Sequence, residues 1–244
     1  MIDSHAHLQD EVFEDDIRDV LLRAKSAGVN SVVCASVDFS DSLACIKLAR
    51  EFVEIFPCAG VAPYSNLSEV GAAMQLIEDS PDIVAIGEIG LDYKRERHPE
   101  QIEPFKKQIE LAKEMDLPVV VHSRSAGKYC LEILKSMKAE KVVMHSFDGA
   151  FKYAKQGFDM GYYFSIPLTV LKNEQKQQLA KGIPEELLMI ETDSPVLNPD
   201  GGRNEPANLA RGRDFIADLR GISPKEVDKI TESNTRKIFG LNRL

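Results

Sequence analysis

Short apolar runs rich in Val, Ile and Phe recur along the chain, with helix-length polar segments between them. They cover residues 1–5, 30–36, 56–62, 83–89, 117–122, 141–146, 161–166 and 187–192. Each is too short for a helix, and an unbroken β-branched run suits a parallel strand buried on both faces. Helical patterns fill the gaps. After Pro99, residues Ile102, Phe105, Ile109, Ala112 and Met115 share one face. Pro104 is tolerable only in a first turn, which sets that helix start late. A last helix opens on a capping box, with Ser223 as N-cap, Pro224 in first position and Glu226 three residues after the cap. Val227, Ile230 and Ile238 give it an apolar stripe.

Strands alternating with helices predict a parallel sheet with crossover connections. Eight strands are the number that closes a (β/α)8 TIM barrel, and the expected organisation is one such α/β domain over residues 1–244. An open doubly wound sheet would place a Gly-rich phosphate turn after the first strand. His5-Ala6-His7 stands there instead.

The histidines carry the chemistry. Four of the five end a strand run: His5 and His7 the first, His122 the fifth, His145 the sixth. Glu88 and Asp193 take equivalent places on the fourth and eighth. In a barrel all these ends meet at one mouth. Residues i and i+2 of a strand face the same side, so His5 and His7 both aim inward. Four imidazoles and two carboxylates buried together call for a cation. Imidazole with carboxylate suits Zn, Mn, Ni, Fe or Co better than Ca. Six ligands exceed the needs of one catalytic metal, whereas two divalent ions sharing a carboxylate use them all.

Charge refines this picture. The chain has 30 Lys+Arg against 39 Asp+Glu, a net charge of -9, which excludes nucleic-acid binding by overall positive charge. A phosphate-rich substrate then depends on metal or on local cations. Cys34, Cys45, Cys58 and Cys130 form no C-x-x-C pair and are expected as free thiols. The first residues resemble no secretory signal, and no apolar run is long enough to span a bilayer. A cytoplasmic protein without membrane contact or obligate protein partner is expected.

Several segments in order resemble the TatD family of metal-dependent deoxyribonucleases, within the amidohydrolase-like barrels. They are Asp3-Ser4-His5-Ala6-His7-Leu8, Gly87-Glu88-Ile89-Gly90-Leu91-Asp92, residues 117–124, His145-Ser146-Phe147, Glu191-Thr192-Asp193-Ser194-Pro195, residues 204–209 and residues 234–239. The resemblance implies that His5, His7, Glu88 and Asp193 hold one metal. It implies a second on Glu88, His122 and His145, with Glu88 bridging, the metals' identity (Zn, Mn, Mg, Ni, Fe or Co) being open. It also implies hydrolysis of phosphodiester bonds in DNA, often exonucleolytic, on DNA ends or short oligonucleotides. One departure is Gly60-Val61-Ala62-Pro63, where Ala62 replaces the family's usual His.

Asp193 is the expected proton acceptor for an attacking water, and with Glu88 forms the catalytic pair. Asp3 and Glu191 share sequence parity with His5 and Asp193, which suits carboxylates that orient ligands. Asp92, Lys94, Arg124 and Arg203 fall on loops at the mouth and are the substrate-binding candidates, with Arg95, Arg97 and Lys128 in the same loops. Rival readings are a hydrolase of small phosphoesters, amides or lactones on the same barrel, and a catalytically weakened metal-binding interaction module. Glu88 at the strand end, where amide-cleaving relatives often use a modified Lys, favours the nuclease.

Overall fold

In a computed structural model describing residues 1–94 and 96–241, the runs fold as eight parallel strands. They are β1 (Ile2–Ala6), β2 (Ser31–Ala35), β3 (Ile55–Ala59), β4 (Ala85–Gly90), β5 (Val119–His122), β6 (Val142–His145), β7 (Tyr163–Ile166) and β8 (Leu188–Ile190). Each pairs with the next in sequence order, the order of a (β/α)8 barrel. The last seam, between β8 and β1, closes differently. Asp193 N donates to His5 O at 3.0 Å and His7 N to Ser194 O at 2.7 Å. The Asp3 carboxylate takes the Thr192 N–H and hydroxyl at 2.9 and 2.5 Å. This is why regular β8 stops at Ile190, short of the expected residue 192.

Helices α1 (Ile17–Ser26), α2 (Phe39–Glu51), α3 (Val70–Glu78), α4 (Ile102–Glu114), α5 (Gly127–Ser136), α6 (Phe151–Asp159) and α7 (Glu174–Gly182) lie between the strands. Pro104 sits in the first turn of α4, as its missing N–H requires. Two helices follow β8: α8 (Leu209–Arg220) and α9 (Pro224–Phe239). The α9 capping box is formed in both directions. Asn234 ties α9 to the barrel, donating to Glu185 O at 2.7 Å and Leu188 O at 2.8 Å.

One buried layer lies between strands and helices. A smaller one fills the barrel, with Ile2, Val33, Cys58, Val120, Val143 and Met189 meeting Phe239 at the end of α9 and Leu241 just beyond it. The four cysteines are buried and free. No helix among the described residues is long and apolar enough to cross a membrane.

Candidate metal centre

Two strand irregularities prepare the mouth. The β1–β2 register shifts between Asp3 and Ala6, and the β4–β5 register between Ile86 and Ile89. Such bulges bend a strand and re-aim its side chains. Here they flank His5 and Glu88. Gly90 permits the closest approach: φ is +142°, and a Cβ there would lie 2.1 Å from His122 O. The ends of β4 and β5, and so Glu88 and His122, meet because that position carries no side chain.

All six expected ligands converge. His5 Nε2 and His7 Nε2 are 3.3 Å apart, and each lies 3.7 Å from Glu88 Oε2. Asp193 Oδ1 is 3.6 Å from His5 Nε2 and 3.2 Å from His7 Nε2. On its other side, Glu88 Oε1 meets His122 Nδ1. The His145 ring stacks on His5 at 3.7 Å, with its Nε2 3.9 Å from Asp193 Oδ2. Two groups, His5–His7–Asp193 and His5–Glu88–His145, bring donor atoms within 4.8 Å of one another. A cavity of about 560 Å³ opens above them, lined also by Arg124, Asp148 and Lys176.

Neighbouring groups set the donors' orientation and charge. His7 Nδ1 faces Ala35 O at 2.8 Å, which turns Nε2 inward. Asp92 Oδ2 sits 3.2 Å from His122 Nε2 and takes Arg124 Nε at 2.8 Å. Glu191 Oε1 lies 2.9 Å from His145 Nδ1 without hydrogen-bond alignment. Burial opposes ionisation of Glu88, but the imidazoles of His122, His5 and His145 hold it well below the usual carboxylate range. Burial would lower His7, yet Asp193 and Glu88 raise it to about 10. His145 is raised against burial to about 9 by Glu191 and Asp193. For His5, burial and the neighbouring His145 charge lower the imidazole. The donor set fits a cation. His5 Nδ1, His145 Nδ1 and both Glu191 oxygens are buried without hydrogen-bond partners, and imidazole with carboxylate suits a first-row divalent metal.

The remaining candidates divide. Asp92 faces His122 and Arg124, and Lys94 and Arg124 line an adjoining cavity of about 480 Å³. Asp3 serves the β8–β1 seam rather than a histidine ring. Arg203 is held by both oxygens of Asp16 at 2.8 and 2.7 Å and by Val12 O at 2.7 Å, none of them in the cluster. Asn204, between them, supports the wall after β8 by donating to Thr192 O and Val196 O. Arg95 lies outside the described residues.

Two residues were not anticipated. Ala62 is fully buried, and the ring that reaches the centre from that strand end is Tyr64. Its hydroxyl donates to Glu88 Oε2 at 3.4 Å, and its ring meets His122 edge-on at 5.2 Å. Lys176 of α7 is buried, and its Nζ donates to Ser146 O and Phe147 O at 2.8 and 2.6 Å, bracing the loop after His145. The Gly60–Pro63 departure was the signal for Tyr64. A lysine within a polar helix carries none.

A parallel barrel with imidazoles and carboxylates gathered at its C-terminal mouth defines a metal-dependent barrel hydrolase. Residues 2–240 match the family described as TatD related DNase. Human deoxyribonuclease TATDN3 is 37% identical, over 98% of this chain and 94% of that protein. The 3'-5' ssDNA/RNA exonuclease TatD of Citrobacter koseri is 33% identical over 99% of each. Among solved structures, the Escherichia coli TatD homologue YjjV superposes with a TM-score of 0.92, at 26% identity over 98% of each chain. The chain belongs to the TatD family of metal-dependent hydrolases, and is an enzyme acting on ester bonds.

Proposed function

We propose that the chain hydrolyses phosphodiester bonds in DNA, releasing nucleotides from an end, at a site for two divalent cations. The observation that carries this reading is the position of Glu88. One oxygen faces His5 and His7, and the other faces His122. His5, His7, Glu88 and Asp193 would hold one cation, and Glu88, His122 and His145 the other. When bound, such a pair neutralises phosphate oxygens and lowers the pKa of the attacking water. Asp193 is ionised, held down to about 2 against burial by His145, His7 and His5, and it takes the proton of that water. Asp92 holds His122 in place, and Glu191 stands beside His145 as its charge partner. Arg124, half exposed and anchored on Asp92, turns its remaining N–H groups to the phosphate. The printed activities of the human and Citrobacter relatives support a nucleic-acid substrate.

Metal analysis of the purified protein, coupled to cleavage of end-labelled single- and double-stranded DNA, tests the reading. Mononucleotide products from one end are expected. Glu88→Ala should lose bound metal and at least about 100-fold in rate together, the loss of a group acting in the transition state. Full hydrolysis by that variant would end the bridging role, and an intact labelled strand across all added metals would end the nuclease assignment.

A further inference from the structure

Several surface cations of this acidic chain are neutralised by carboxylates. Arg23 and Arg203 share Asp16, Lys172 and Arg211 share Asp200, and Arg236 takes Glu232. One arc of the mouth is built differently. Arg97 lies in the loop between β4 and α4, Lys128 in the first turn of α5, and Lys152 in the first turn of α6. These three βα units are neighbours in the barrel, and their helix starts lie at the same end as His122 and His145.

In this arc the cations sit on tyrosines. Arg97 Cζ is 4.2 Å from the Tyr129 ring centre and 5.7 Å from that of Tyr93. Lys128 Nζ lies 5.6 Å from Tyr129 and 5.9 Å from Tyr153, and Lys152 Nζ lies 5.0 Å from Tyr153. Among the described residues Arg97 and Lys152 are in no salt bridge, and Lys128 meets Glu132 only at 3.6 Å. An aromatic face restrains a cation without cancelling its charge. The arc is continuous with the centre. Tyr93 N donates to Arg124 O at 2.9 Å, and Ser125 N donates to Asp148 Oδ2 at 2.7 Å, joining the β5–α5 and β6–α6 loops.

We propose that this arc of Arg97, Lys128 and Lys152, alternating with Tyr129 and Tyr153, is a track for the phosphates of a polynucleotide strand beyond the bond being cleaved. This rests on the nuclease function proposed above. With a net charge of -9, the chain repels phosphate over most of its surface, so positive groups left uncancelled beside the mouth select where a strand can lie. The ring faces are occupied by the cations, so the track reads backbone and not base sequence.

Binding without cleavage tests the track separately from the nuclease reading. The probes are fluorescein-labelled phosphorothioate oligothymidylates of five and twenty nucleotides, which resist hydrolysis, titrated with the intact protein across a range of salt. The longer probe should bind about tenfold or more tightly at low salt. The triple variant Arg97→Ala/Lys128→Ala/Lys152→Ala should lose that advantage. Its log–log salt slope should be shallower by about 2, at about 0.7 per cation removed. Removing three exposed cations elsewhere, Lys47→Ala/Lys135→Ala/Lys229→Ala, should leave the slope unchanged. The track is overturned if the first triple keeps the wild-type slope, if the second loses as much, or if the wild type binds both probes equally. Failure to cleave ordinary DNA, with these binding results intact, would count against the nuclease reading alone.

Discussion

His7 shows how single side chains set the state of the site before any cation enters. Its Nδ1 is taken by the Ala35 carbonyl, so Nε2 alone faces Asp193 and Glu88. With His7 raised to about 10 and His145 to about 9, both are imidazolium at pH 7.5 in the metal-free protein. A cation accepts only the free base, so loading must expel roughly two protons. Calorimetric titration with metal at pH 7.5, in buffers of different ionisation heat, should report them. Affinity should fall about 100-fold per pH unit below that. A heat independent of buffer would refute protonated ligands. The signs also fix the stability of the metal-free protein. Both raised imidazoles stabilise it fully below their unfolded value of 6.5, and that contribution is lost as pH rises through 9 and 10. Asp193, lowered to about 2, contributes above its unfolded 3.8 and loses that contribution as pH falls toward 2. The joint contribution of these three groups is therefore greatest between about pH 4 and 6.5 and declines on both sides, while Asp3, whose carboxyl burial raises to about 7, opposes it as pH climbs from 3.8 toward 7; melting temperatures across pH measure the balance. At this scale the convergence of the six side chains was legible because every strand end of a barrel opens on one mouth. Asp3 was less so. Sequence parity puts it with His5, but the β1 register shift follows it, and it turns to Thr192 instead.

Strands and loops were legible to different degrees. An uninterrupted run such as residues 141–146 marks its strand well, whereas the last run ends early because a side chain, Asp3, replaces the backbone partner. The cation–tyrosine arc was hidden for another reason: residues 97, 128–129 and 152–153 become neighbours only once three helix starts are set side by side by barrel closure. Gly90 bears on how elements place ligands. A methyl there would collide with His122 O at 2.1 Å, and φ of +142° disfavours any side chain. Gly90→Ala should cost about 1–3 kcal/mol by overpacking, with about 1–2 more from backbone strain, and should lower metal content by parting β4 from β5. Gly161→Ala is the comparison. Its φ is +75°, but nothing lies within 4 Å of the added carbon, so only the strain applies. Melting curves and metal analysis of both variants separate the two effects. A Gly90→Ala protein with wild-type metal content would show that the close approach does not position the ligands.

The whole molecule separates stability from chemistry along the barrel axis. At the C-terminal ends of the strands, acids that contribute to the charge of -9 gather with the histidines around the candidate metal centre. At the opposite ends, Phe239 and Leu241 close the barrel against Ile2, Val33 and Cys58, and the cavity around them is lined by the first residues of β3 and β7 and those just before β4 and β5. Removing the Phe239 ring should cost about 3–5 kcal/mol, as for other buried aromatics. That lowers the melting temperature by roughly 6–20 °C for a chain of this size. Because the ring lies at the far end from His5 and Glu88, metal content and the rate of DNA cleavage at 20 °C should stay within about twofold of wild type, while thermal inactivation comes much earlier. A Phe239→Ala protein that is folded at 20 °C yet has lost its metal would mean that the two ends are mechanically joined, and the separation would have to be given up.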